Sequence, residues 1–352
     1  MRLSLLLPIA AYTASADDPA CVAPGTCVEP DQTEYPHVAG RVHATPRKQW
    51  GDSGGFCGAL SIQAISLSYG VWHSQDLIRK AAGPGTPPGH GDEEDGYEIL
   101  HSNIEGALDN LHMTYESWDW ENEPTPQGAG YLSWMKEKLS AGFGVVQFVL
   151  CKGDRHNSYG PAYDPVPYDH IEPFFKMYSK QPLNGTEVRD DDIIVHGSDY
   201  SPDGADNLGY FRTFDSLLDD KKMEGNCADA GDGYGKNEMY PCVYDFKTYG
   251  TAITGVQGGT PDEVPVAVLV DTTDEPDVRE DEAPTPLTAT VIIDGDADEK
   301  FTVYRFDGGD NFPAGDDFSG ATSVYEGVST GGWVDPNTFM SNTSVMYRAI
   351  RA

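Results

Sequence analysis

The sequence predicts an α+β protein, and three observations lead there. Apolar residues recur at helical spacing in several segments before residue 140. β-Branched and aromatic runs take over from Gly144 onward. Beyond residue 257 short alternating segments separated by turns predict a small all-β, sandwich-like unit. A chain of 352 residues is too long for one small core. The expected division is a leader over 1–16, an α+β domain over 17–256 and the β domain over 257–352.

Taken in order, residues 17–48 are rich in proline and turn formers and show little periodicity. A helix is expected from near Cys57 to near Gly70, with Ala59, Ile62, Ile65 and Leu67 roughly on one face. Ser74 is a good N-cap for a second helix reaching Ala82. The Gly/Pro-rich, acidic stretch 83–96 reads as a solvated loop rather than a calcium site. Ile99, Ile104, Leu108 and Leu111 predict a third helix over 98–111, and Leu132, Trp134, Met135 and Leu139 a fourth over 130–140. Strands are expected at 144–150, from about 168 to 178 with His170 at its start, at 192–196 and across 246–256. In the β unit they are expected at 264–270, 287–293, 300–306, 323–328 and 344–350. Asp294-Gly295-Asp296-Ala297-Asp298 begins like a calcium loop, but Glu299 and Arg305 stand where such a loop needs glycine and glutamate, so a polar hairpin turn is expected.

Bulk charge narrows the function. With 57 acidic against 23 basic residues the net charge is −34, which repels phosphate backbones and anionic lipid. Neither nucleic acid nor membrane is an expected partner. Arg2, the apolar run Leu5–Ala11 and Ala14-Ser15-Ala16 read as a secretory signal peptide. Asn184-Gly185-Thr186 and Asn342-Thr343-Ser344 are glycosylation sequons consistent with that route. Six cysteines suit an oxidising compartment, with Cys21–Cys27 and Cys227–Cys242 as candidate disulfides. Cys57 and Cys151 remain; spacing alone leaves open whether they pair or Cys57 is a thiol. No short cysteine spacing marks a zinc site, and neither metal nor cofactor is expected.

The chemistry concentrates around residues 49–64. A cysteine on the first turn of a helix meets N–H groups and a dipole that stabilise its thiolate. Gly51-Asp52-Ser53-Gly54-Gly55 matches the segment around the nucleophilic serine of chymotrypsin-like proteases, but too little chain precedes it for their first barrel, and that reading is excluded. Cys57, then His170 opening a strand, then Asp199 after the next strand is instead the order of a thiol nucleophile, its base and an orienting acid.

With Gln49 upstream, Cys57-Gly58 opening a helix and the helix–Gly–Val–Val strand unit, the chain resembles the papain-like cysteine peptidases. The likeness is greatest to the bacteriocin-leader (double-glycine) peptidase branch, and it covers roughly 45–205. The resemblance implies that Cys57 attacks a peptide or amide carbonyl, His170 acts as general base and acid, Asp199 orients His170, and Gln49 lines the oxyanion hole. Gln49 lies eight residues before Cys57 where the family has six, and Asp192 competes with Asp199. A peptide or protein is the implied substrate; transglutamination or cell-wall amide cleavage would use the same machinery. The reading from another class is a catalytically inactive papain-like scaffold acting as an extracellular binding protein.

Overall fold

The computed structural model describes residues 30–40, 47, 49–50, 55–83, 91–92, 96–119, 121–124, 127–149, 170–183, 187, 189, 192–197, 209–213, 249–260, 262–270, 284–313 and 315–352. The expected leader, Cys21, Cys27, Cys151, Asn184, Asp199, Cys227 and Cys242 lie outside these residues.

The described elements begin with β1 (His37–Gly40), α1 (Cys57–Leu67), β2 (Val71–His73), α2 (Gln75–Ala81), β3 (Gly91–Asp92) and β4 (Gly96–Tyr97). There follow α3 (Ile104–Asn110), β5 (Met113–Ser117), α4 (Gly128–Ser140), β6 (Gly144–Val149), β7 (His170–Ser179), β8 (Ile193–Gly197), β9 (Gly209–Thr213) and β10 (Tyr249–Val256). The remainder is β11 (Glu263–Val264), β12 (Val266–Val270), β13 (Pro286–Leu287), β14 (Ala289–Ile293), β15 (Lys300–Asp307), β16 (Ser323–Ser329), β17 (Gly331–Val334), β18 (Phe339–Met340) and β19 (Ser344–Arg351). The class is α+β, with the strands in several antiparallel sheets. Among the described residues no helix is long and apolar enough to cross a membrane.

The largest sheet runs β5-β10-β6-β7-β8-β9, with β1 added to β7. Its two faces bury different sets of side chains. Val146, Ile171, Phe175 and Tyr178 join the cluster that holds α1, whereas Val145, Phe174 and Met177 join Tyr131, Leu132, Met135 and Leu139 of α4. Strand alternation sorts these residues until a register shift between Phe174 and Lys176 lets both Phe175 and Tyr178 reach the α1 side. α1 is not amphipathic in place. All eleven of its residues are buried, Ser61, Gln63 and Ser66 included, so it is a central helix rather than a surface one.

The segments before and after residue 256 share one core. Strand β2 pairs with β19, and the cluster around Ile62 and Ile65 continues into Val268, Val291, Val303 and Tyr347. Polar contacts cross as well: the Trp72 indole donates to Ser341 O at 3.3 Å, His73 Nδ1 lies 2.9 Å from Ser344 Oγ, and Arg47 Nη1 donates to Val270 O at 3.0 Å.

The helix expected over 98–111 is shorter, Ile104–Asn110. Asn103 explains the difference. Its Oδ1 accepts the Leu100 N–H at 2.7 Å and its Nδ2 donates to Glu98 O at 2.8 Å, folding 98–103 into a turn instead of a first helical turn.

Candidate functional site

Cys57 is the first residue of α1, buried at 6% exposure, and present as a thiol. Phe56 contributes no side-chain cap, and the first turn of α1 has no acidic residue, so the positive end of the helix is not neutralised from within. The Arg79 guanidinium sits 4.3 Å from the centroid of the Phe56 ring and donates to Gly96 O at 3.2 Å. The guanidinium thus lies over the ring of the residue that precedes Cys57.

Two glycines explain how tightly this end of α1 is enclosed. A Cβ at Gly58 would lie 2.6 Å from Ile99 Cβ and 3.1 Å from Ile171 Cδ1. At Gly55, with φ +67°, it would lie 2.6 Å from Glu98 Cδ. The pair Glu98–Ile99 therefore covers the chain on both sides of Cys57. No periodicity or motif foretold this cover, because the contact joins segments some forty residues apart.

The same contacts bring the second candidate close. Ile171 of β7 packs against Gly58, and Ser61 Oγ, which donates to Cys57 O at 2.8 Å, is 3.3 Å from Ile171 O. His170 is the residue before Ile171 and the first of β7. The helix opening on Cys57 thus lies across the strand opening on His170.

The orienting acid sorts by register. Strands β7 and β8 pair Tyr178 with Ile193 and Phe174 with His196, so the end of β8, not its start, approaches His170. Asp192 sits at the far end, about 30 Å from His170 at ~3.3 Å per residue. There the Lys136 ammonium, from α4, holds it at 2.5 Å with both side chains buried. Asp192 is there a buried ion-pair partner of Lys136. Asp199 follows β8 by two residues in the sequence and lies outside the described residues.

Gln49 is half-buried. Its neighbour Trp50 donates its backbone N–H to Gln75 Oε1 at 3.1 Å, Gln75 Nε2 donates to Gln63 Oε1 at 3.1 Å, and Gln63 Nε2 donates to His73 O at 2.8 Å. This relay ties residue 50 to α2 through Gln75 and, through Gln75, to Gln63 of α1. Among the described residues no three His, Cys, Asp or Glu side chains converge to hold a metal ion.

A cavity of about 630 Å³ opens near this end of the sheet, walled by the start of α3, the end of β5 and Gly250 of β10. The chain matches no protein-family model, no curated protein and no solved structure, so the chemistry of this site rests on its own geometry.

Proposed function

We propose that the chain is a secreted cysteine hydrolase that cleaves peptide or amide bonds, with a papain-like catalytic domain and a sandwich-like β unit packed against it. The observation that carries this is the crossing just described: a thiol at the buried start of α1, laid over the first residues of the strand that begins with His170. A helix N-terminus favours a thiolate, the form that attacks. The sequon at Asn342 is exposed in the turn before β19, where a glycan would be accommodated on a secretory route.

In the mechanism the Cys57 thiol yields its proton to His170, and the sulfur adds to the substrate carbonyl. The tetrahedral oxyanion is held by the Cys57 N–H and, by the family resemblance, Gln49. Collapse expels the amine, which takes the proton from His170 and leaves a thioester on Cys57. Water, deprotonated by His170, then releases the acid and restores the thiol. Asp199 would hold the imidazole in the required tautomer.

The test is thiol chemistry together with turnover. Cys57 in the wild type should be alkylated by iodoacetamide at pH 5–6 far faster than a model thiol. Cys57→Ala and His170→Ala should each lower hydrolysis of an unfolded protein substrate by a factor on the order of 10³ or more. A Cys57 no more reactive than a model thiol, with no wild-type hydrolysis above background, would replace this reading by the inactive binding scaffold, and hydrolysis unchanged in Cys57→Ala would overturn the role of Cys57.

A further inference from the structure

Resting on the hydrolase reading, we propose that the cavity between α3 and the end of β5 is a subsite for a cationic side chain of the peptide substrate. The lysine or arginine would lie roughly three residues from the bond cleaved at Cys57, at ~3.3 Å per extended residue.

Position is the first argument. Ile99 occupies the space beside Gly58, and two residues further on His101 already lines the cavity. One short stretch therefore covers the start of α1 and then becomes a cavity wall. The sheet gives an independent path. Gly250, at the cavity, pairs with Gln147, and Gln147 pairs with Glu172, two residues from His170. Two strand spacings of ~4.8 Å put the cavity about 10 Å to the side of β7, at the same end of the sheet as both candidate catalytic residues.

Lining chemistry is the second argument. Glu105 faces in from α3, Asp119 and Glu121 from the segment after β5, and among the described residues no lysine or arginine shares the lining. Acidic residues are common all over this chain, so their number alone would say little. What distinguishes them is that they surround a concavity, lined also by Trp118, beside the candidate catalytic residues. The walls are tied together before any ligand arrives. Trp118 N–H donates to Gly250 O at 2.9 Å, Ser117 Oγ and Thr251 Oγ1 are 3.2 Å apart, and Asn122 Nδ2 holds both oxygens of Asp119 at 2.9 and 2.8 Å. These bonds hold the backbone of the wall and the Asp119 carboxylate, so less of the wall is left to be ordered on binding.

The experiment uses a labelled peptide series identical except for Lys, Ala or Glu at one position, moved stepwise along the peptide. Wild-type kcat/KM and, separately, binding to the full-length Cys57→Ala protein by fluorescence anisotropy are measured. Lys should exceed Ala by about tenfold in both assays at one register, with Glu lowest. That ratio should fall towards one in the double variant Asp119→Asn/Glu121→Gln, whose positions are exposed and place little at risk in folding. Hydrolysis with no Lys preference, or a preference that survives the double variant, overturns the subsite and leaves the hydrolase reading standing. A Lys preference in binding without any wild-type turnover sinks the hydrolase reading and leaves the cavity as a cation-binding site.

Discussion

His73 shows at single-residue scale what full burial does to a titratable group. Its ring, 1% exposed, lies against Phe312 with Nδ1 on Ser344 Oγ. Burial holds its pKa down at about 3, nearby His112 pushes the same way, and the Leu111 backbone pulls weakly in the other direction. In the unfolded chain the ordinary value near 6.5 returns. Between those values the unfolded state binds a proton that the native state refuses, so this contribution is complete above pH 6.5 and is lost as pH falls towards 3. Once pH is well below 6.5 the loss approaches about 1.4 kcal/mol per pH unit. Carboxylates add their own dependence, but a comparison with His73→Gln removes it. In urea titrations at pH 7, 6 and 5, the wild-type advantage over His73→Gln should shrink steadily; a constant gap would rule out His73 as the acid-sensitive group.

At the scale of elements, the crossing of α1 on β7 rests on Gly58, and two physical effects there predict opposite outcomes. Alanine is the better helix former by about 1 kcal/mol, so propensity alone would have Gly58→Ala stabilise α1. Packing opposes it, since the new methyl would stand 2.6 Å from Ile99 Cβ and 3.1 Å from Ile171 Cδ1, both in the buried core. Overpacking of this kind costs about 1–3 kcal/mol and should win. Gly58→Ala should lower the urea midpoint, and a variant as stable as wild type would mean the crossing is looser than described. The elements that were legible in the sequence are those whose pattern is local. The Ser74 cap accepts the Leu77 N–H as expected, and β6, β7, β8, β12, β14, β15, β16 and β19 fall within a few residues of their β-branched or alternating runs. Strands β1, β2, β5 and β17 were not foreseen. Three to five residues carry too little periodicity, and β2 exists because β19, some 270 residues away, pairs with it. The candidate site divides along the same line. Cys57 at a helix start and His170 at a strand start could be read from neighbouring residues, whereas the Glu98–Ile99 cover and the far-end placement of Asp192 depend on packing and register.

At the scale of the whole molecule, the change of character near residue 257 marks a change of architecture but not of core. Trp72, fully buried, packs at a tilt against Trp50 and Phe339 and donates to Ser341 O, so a residue of the first segment is enclosed by the second. Arg348, from β19, closes on Glu263 and Gly258 O, tying the last strand to the chain just after β10. Removing 257–352 would uncover Leu67, Val71 and Trp72 together; truncating a single buried tryptophan already costs about 3–5 kcal/mol, against a total stability of roughly 5–15 kcal/mol for an ordinary domain. The full chain should therefore unfold in one transition whether followed by tryptophan fluorescence or by far-ultraviolet circular dichroism. A fragment ending at residue 256 should show neither a cooperative transition nor the enclosed environment of Cys57, its thiol reacting at the rate of a model thiol. A fragment that melts cooperatively with a protected or fast-reacting Cys57 would mean that α1, the seven-stranded sheet and α4 suffice, and that β2 and β19 join two independently stable bodies.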